Sequence, residues 1–193
     1  MSILTHTRLR NHVRLGTFGS DIDSLLDQVS GSSIDIRLGR KILIERHAVR
    51  PRIVDYRSRQ QLEMYEVELG EDGYILEPGE FILAHSMEVL DIPGTASALL
   101  RSKSSMGRIG FEHADAGWID PGFHGALTFE FCNITRYHAI RIRPGDAVGQ
   151  LILFEHSHVG QDHLYSNRGR YGGSNTVEQT RPHPKDVTLP PDF

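Results

Sequence analysis

Four Pro-Gly pairs, Pro78-Gly79, Pro93-Gly94, Pro121-Gly122 and Pro144-Gly145, cut residues 74–155 into short segments, and no other feature of the chain restricts its fold as strongly. Proline presets φ at the first central position of a turn, and glycine accepts the positive φ that a type II turn needs at the second, so each pair predicts a reversal. Clear β-type runs follow three of them, over 80–84, 126–132 and 147–154, and further strands are expected over 97–101, 108–112 and 138–142. Earlier in the chain Ile34, Ile36 and Leu38 alternate with Asp35 and Arg37, and 41–45 gives another short strand. One segment has helical spacing: Ile22, Leu25, Leu26 and Val29, with Ser20 as N-cap and Gly31 as stop. Many short strands, regular turns and little helix predict a mainly β, barrel-like or jelly-roll unit with a short N-terminal helix.

The chain has 193 residues, 38% hydrophobic and 24% charged, enough for one well-buried core, so a single domain over 1–193 is expected. A lone cysteine, Cys132, excludes an internal disulfide framework, and no apolar run approaches the length of a membrane span. The N-terminus has basic residues but no apolar signal-peptide core, so a cytoplasmic protein without a membrane partner is expected. A formal charge of −4 argues against a protein that coats nucleic acid. One cysteine also cannot supply the ligands of a zinc deaminase, and the eleven histidines form no metal-binding spacing.

Three stretches could carry chemistry. Arg101-Ser-Lys-Ser-Ser-Met-Gly-Arg-Ile-Gly combines hydroxyls, glycines and cations, and fits either a concave polyphosphate site or a solvated basic turn. In the strand over 126–132, Leu127, Phe129 and Phe131 share one face and Ala126, Thr128, Glu130 and Cys132 the other. Glu130 sits there among small residues: either it faces solvent, or it is desolvated and its pKa is raised towards the range useful for proton transfer. Asp120, just before a Pro-Gly pair, has a turn-capping role open to it as well as a chemical one. His113 precedes this segment and is expected to help shape it, while Asp35 and Arg37 are expected to form a structural polar pair or a subunit contact. From about residue 160 onward the chain is rich in glycine, small polar residues and proline, consistent with a frayed end or with a flexible lid carrying Tyr165, Arg168, Arg170 and Tyr171.

Seven motifs in order resemble those of dCTP deaminases of the trimeric dUTPase superfamily: Ser32-Ser-Ile-Asp-Ile-Arg-Leu-Gly, Leu76-Glu-Pro-Gly-Glu-Phe, Lys103-Ser-Ser-Met-Gly-Arg, Ala116-Gly-Trp-Ile-Asp-Pro-Gly-Phe-His-Gly, Thr128-Phe-Glu, Arg143-Pro-Gly-Asp and Gly149-Gln-Leu. The match covers about residues 20–172. The resemblance implies a distorted β-barrel or jelly-roll dUTPase-like subunit, a homotrimer with sites between subunits, and zinc-free hydrolytic deamination of dCTP to dUTP and ammonia. By similarity Glu130 is the proton carrier, Ser104 positions the attacking water, Arg108 stands close to the site and the carbonyl of Ala114 is a further anchor. Lys103 and Ser105 would hold phosphates and Asp120 the deoxyribose 3′-hydroxyl; Met106, Gly107, Thr128, Phe129 and Gln150 stand in the matching substrate-binding motifs. Mg2+ would enter with the triphosphate, and dTTP is an implied inhibitor.

The family has a branch that stops at dUTP and a bifunctional branch that continues to dUMP and pyrophosphate, the supply for thymidylate synthesis. Ala116-Gly-Trp-Ile-Asp and Gly149-Gln-Leu resemble the second branch, with Asp120 suited to activate the second water. Asp115 stands where threonine is usual, Arg170 where lysine is usual and Ser174 where glutamine is usual; Tyr165 matches a tyrosine near the substrate. The competing readings are a plain dUTP diphosphatase, which would lack Glu130, and a nucleotide-binding regulatory trimer without turnover.

Overall fold

The computed structural model describes residues 2–16 and 22–181, apart from the side chain of Ile22; Ser20 and residues 182–193 lie outside the described residues. Strand β1 (Ser2–Ile3) and helices α1 (His6–Arg14) and α2 (Ile22–Gln28) precede the long strand β2 (Ile34–Glu45). Then come β3 (Met64–Glu68), β4 (Tyr74–Leu76), β5 (Phe81–Asp91), β6 (Ala96–Ser102) and the short helix α3 (Ser104–Arg108). Strands β7 (Phe111–His113), β8 (Trp118–Ile119), β9 (His124–Asn133), β10 (Ile140–Ile142) and β11 (Ala147–Glu155) complete the β structure, and helix α4 (Tyr165–Arg168) lies in the C-terminal segment.

Nine strands form one antiparallel sheet in the order β7-β9-β5-β2-β11-β6-β8, with β1 added to β11 and β3 to β2; β4 and β10 pair separately. Its two terminal strands, β7 and β8, are joined by residues 114–117 alone, a link that spans no more than about 18 Å when extended. The sheet therefore curls back on itself as an open half-barrel. Alternate residues of β2, namely Ile34, Ile36, Leu38, Ile42 and Ile44, enter the core beside Phe129 and Phe131 of β9. The N-terminal helix α1, not expected from the sequence, adds Leu9 and Val13 to this core and is tied to β11 by Arg8 and His12 on Glu155.

Three Pro-Gly pairs behave as type II turns: Gly79, Gly122 and Gly145 have φ of 79°, 82° and 86°, and each turn is closed by a main-chain hydrogen bond across the pair. At Pro93-Gly94 the proline instead supplies the accepting carbonyl, to Ala96 N–H at 3.0 Å, so the glycine is not the left-handed residue of that turn. Residues 108–112 do not form one strand. Arg108 ends α3, and pairing with β9 begins at Phe111.

The two short strands expected over 34–45 are one continuous strand, because Gly39 lets it pass close under β5. A side-chain carbon at Gly39 would lie 2.3 Å from the His85 ring. Around this crossing β5 shifts register against both neighbours, between Leu38 and Ile42 on the β2 side and between His85 and Val89 on the β9 side. Such bulges bend a strand and strengthen its twist. Buried polar groups take up the backbone bonds that the bulge releases. Ser86 Oγ donates to the Glu88 carbonyl at 2.6 Å and accepts Leu127 N–H at 2.8 Å. The buried Glu88 carboxylate accepts Arg37 N–H at 2.9 Å and Arg37 Nε at 2.7 Å, while the same guanidinium reaches Ser24 Oγ of α2. Arg37 is thus structural, but its partner is Glu88 rather than Asp35.

His85 uses both ring nitrogens: Nδ1 lies 2.8 Å from the Ser86 carbonyl, and Nε2 accepts Lys41 N–H at 3.3 Å. That pattern requires the neutral ring, and burial, aided by the nearby Lys41 charge, holds its pKa below 6.5. The unfolded chain therefore binds this proton more readily, and stability is lost as pH falls below the unfolded value. Chemical denaturation between pH 7.5 and 5 is expected to show this acid-side loss, and His85→Gln, which cannot take up the proton, to flatten it. Gly39→Ala is expected to lose about 3 kcal/mol of stability in the same assay at pH 7.5, because the added methyl group collides with a ring that cannot retreat.

Candidate active site

Beside β9 lies a cavity of about 450 Å³ whose walls combine apolar side chains such as Phe81, Leu83, Leu100 and Leu127 with Asp120, Thr128, Glu130 and Tyr165. The strand alternation expected over 126–132 holds from Leu127 onward: Leu127, Phe129 and Phe131 are buried and Thr128, Glu130 and Cys132 half-buried on the opposite face, whereas Ala126, expected on that face, is buried. Glu130 is therefore neither a freely solvated surface carboxylate nor sealed in the core. Its side chain is 31% exposed at the cavity wall.

Across the β7–β9 pair, His113 is buried, and its Nε2 stands 3.3 Å from Glu130 Oε2. Neither atom has a hydrogen-bond partner among the described residues, so the two are within ion-pair distance without hydrogen-bond geometry. The Asp115 N–H donates to His113 Nδ1 at 3.3 Å, which assigns the ring proton to Nε2, facing the carboxylate. Phe129 and Phe131, stacked on each other, both meet the imidazole edge-on. Ala114 continues the strand pairing through its N–H to the Glu130 carbonyl at 2.9 Å. The next residue, Asp115, has φ of 61° and an ion pair with Arg101; aspartate tolerates this left-handed geometry far better than a β-branched residue does. His113 shapes this segment as expected, but its alignment on Glu130 depends on a strand pairing between positions 18 residues apart.

Asp120 does not cap its turn. The Phe123 N–H bonds to the main-chain carbonyl of Asp120 at 3.2 Å, and the side-chain carboxylate instead accepts the Trp118 indole N–H at 3.0 Å. Trp118 and Asp120 are two residues apart in extended chain and share a face. Both line the cavity.

A separate polar group forms where β2, β6 and β11 meet. Lys103 is ion-paired with Asp35, and Gln150 Nε2 lies 3.3 Å from the same carboxylate and 3.4 Å from Ser33 Oγ. Beyond it, Ser104, Ser105, Gly107 and Arg108 are exposed on α3, and among the described residues the side chains of Ser104, Ser105 and Arg108 have no hydrogen bond or ion pair. Met106 is 5% exposed and belongs to the core, so only its backbone is available to a ligand; the same holds for Phe129. No Lys, Arg or His among the described residues lines the cavity that contains Glu130.

The C-terminal segment lies against β9. Gly173 N–H donates to the His124 carbonyl and Ala126 N–H to the Ser174 carbonyl, each at 2.7 Å, and Glu178 N–H reaches Thr128 Oγ1 at 3.4 Å. Tyr165 packs on Phe123 at 5.5 Å between ring centres and, with Tyr171, Glu178 and Thr180, closes one side of the cavity. Ser174 turns its hydroxyl to Thr176, and Arg170 and Arg181 exchange bonds to each other's carbonyls. Sequence reasoning did not find Leu62, Met64 or residues 178–180 as cavity walls. They reach β9 through long-range folding and carry no local motif.

The family model described as dCTP deaminase-like matches residues 3–156. A Nocardia farcinica protein named "dCTP deaminase, dUMP-forming" is 35% identical over 185 residues, covering 94% of this chain and 89% of its own. An Acidothermus cellulolyticus protein of the same name is 38% identical over 130 residues, covering 67% of this chain and 68% of its own. The crystal structure of 2′-deoxycytidine 5′-triphosphate deaminase from Agrobacterium tumefaciens superposes with a TM-score of 0.61 at 29% identity, over 78% of this chain and 47% of that longer one. A curled, mainly β fold with a carboxylate-bearing cavity beside β9 defines the class. The chain belongs to the dCTP deaminase-like family.

Proposed function

We propose that this protein deaminates the cytosine of dCTP by zinc-independent hydrolysis and then cleaves the resulting dUTP to dUMP and pyrophosphate. One observation carries the reading: Glu130 stands half-buried in an apolar cavity, with the buried His113 Nε2 3.3 Å from its carboxylate. In the first step a water oxygen bonds to C4 of the base while Glu130 takes the water proton. Glu130 then protonates N3 and, with the second proton, the departing amine, so that dCTP and water give dUTP and ammonia. His113 holds the carboxylate for this exchange. In the second step Asp120 takes a proton from the water that attacks the α-phosphorus. The relatives named as dUMP-forming support this order.

A triphosphate needs cations, and among the described residues the cavity wall of a single subunit offers none, whereas Arg108 and the Ser104 and Ser105 hydroxyls are exposed without partners among those residues. The function therefore assigns these groups to the site of a neighbouring copy in a homotrimer. There Ser104 positions the water, Lys103, Ser105 and Arg108 receive the phosphates, and the backbone at Met106, Gly107, Ala114 and Phe129 together with Thr128 and Gln150 completes the cradle. Tyr165, Arg170 and Ser174 close over it. The triphosphate carries more negative charge than Lys103 and Arg108 balance, which fits Mg2+ entering on the phosphate oxygens, its preferred hard ligands. The dTTP molecule is an analogue of the product nucleotide and is proposed to compete at this site.

Incubation with dCTP and Mg2+ followed by anion-exchange chromatography is expected to yield ammonia, dUMP and pyrophosphate. Glu130→Gln, which keeps the shape but cannot carry the proton, is expected to lower ammonia release by about a thousandfold. Unchanged deamination by that variant would remove Glu130 from the mechanism. Cleavage of dUTP with dCTP left intact would instead identify a plain diphosphatase, and binding without consumption of either a regulatory protein.

Co-expression of Glu130→Gln and Arg108→Ala subunits tests the shared site. Each variant alone is expected to be inactive, while random mixing leaves about a quarter of shared sites with both groups intact. A mixture with no recovered activity would place both groups in the same subunit's site.

A further inference from the structure

We infer that Trp118 is a positioning residue that aims Asp120, and that its indole N–H sets whether dUTP is cleaved before it leaves the site; this rests on the second hydrolysis proposed above. Asp120 stands at a Pro-Gly turn whose backbone N–H groups are already taken: Gly122 N–H donates to the Ile92 carbonyl at 2.8 Å and Phe123 N–H to the Asp120 carbonyl at 3.2 Å, leaving the side chain free of the turn. Among the described residues the one donor to that carboxylate is Trp118 Nε1, 3.0 Å from Oδ1. The indole itself is held in place. Its backbone pairs with Leu99 of β6, and its ring stacks on Phe154 of β11, with 6.2 Å between ring centres and 30° between planes. Trp118 is thus held by backbone pairing to β6 and by its ring contact with β11, and its indole N–H reaches the carboxylate at the start of the turn.

The bond occupies Oδ1 and leaves Oδ2 for the second water. In that step the water oxygen bonds to the α-phosphorus, and the bond to the bridging oxygen breaks with its electron pair on pyrophosphate. The water proton passes to Oδ2. A carboxylate free to rotate would reach this geometry only part of the time, and misplacement by a fraction of an ångström slows such steps strongly. Phenylalanine in place of Trp118 keeps an aromatic ring over Phe154 but cannot donate. The structure therefore separates two roles of this side chain, packing and donation, that a deletion to alanine would confound.

The test is Trp118→Phe, assayed with dUTP as the supplied substrate and with dCTP, the dUMP formed being normalised to ammonia released in the same reaction. The expected result is a fall of about tenfold in kcat for dUTP cleavage with a much smaller change in KM, as for loss of one hydrogen bond to a charged group. From dCTP, dUTP should then accumulate. Phe154→Leu, which removes the stacking partner but keeps the indole N–H and its strand pairing, is expected to lower the ratio of dUMP to ammonia by far less than Trp118→Phe does. Cleavage of dUTP by Trp118→Phe at the wild-type rate, while Asp120→Asn is inactive, would overturn the role of Trp118 and leave the second hydrolysis standing. Equal losses in Trp118→Phe and Phe154→Leu would assign the effect to packing and overturn it too. Release of dUTP alone by the wild-type enzyme would overturn the second hydrolysis and this inference together.

Discussion

The architecture depends on the close crossing of β2 and β5, where Gly39 passes under the His85 ring. A sheet of this size needs a strong local bend to return its last strand towards its first, and the bulge over 85–89 supplies it. The bend exposes backbone groups that a regular ladder would satisfy. Ser86, Glu88 and Arg37 answer them inside the protein, where an unpaired polar group would cost about 1–3 kcal/mol. Because Arg37 also reaches Ser24, the same bulge anchors helix α2. Because Ser86 takes the Leu127 N–H, it sets the part of β9 from which Thr128 and Glu130 face the cavity.

Curling the sheet brings its terminal strands β7 and β8 within four residues of each other, and the cavity draws on both sides of that link. His113 at the end of β7 meets Glu130. Trp118 at the start of β8 meets Asp120. Asp115, between them, takes the left-handed turn and points its N–H back at His113. Each carboxylate therefore has an aromatic ring nitrogen set beside it by strand pairing, hydrogen-bonded in the case of Asp120 and at ion-pair distance in the case of Glu130, and the two are placed by one short linker. Their surroundings differ in a way that suits different tasks: Glu130 is half-buried beside an almost inaccessible imidazole, while Asp120 is exposed beside an indole that is itself half open to solvent.

Electrostatics then separate the acidic cavity from the cationic turn. Asp120, Glu130 and Glu178 line the cavity, whereas Lys103 is held by Asp35 and Arg108 projects from α3. A base and sugar suit the first environment and a triphosphate the second. The association of copies is thus part of the proposed chemistry.

Much of this was legible in the residue order. The period-two pattern over 126–132 placed Glu130 opposite the buried phenylalanines, three Pro-Gly pairs marked type II turns, and ordered motifs carried the family, since all of these are local properties of the chain. The helix α1, the union of two short segments into one β2, and the turn at Pro93-Gly94 were not legible, because their form depends on what packs against them. The same holds at the site. The sequence by itself determined which carboxylates, cations and turn residues are available and which strand face each occupies, because backbone sterics and side-chain alternation act over a few residues. Only the tertiary structure decided that Arg37 bonds Glu88, that His113 faces Glu130, that Trp118 rather than the turn holds Asp120, and that no cation among the described residues lines the cavity. These pairings are set by a bulge and a curled sheet, and the energy of such long-range contacts appears only when distant strands are brought into register.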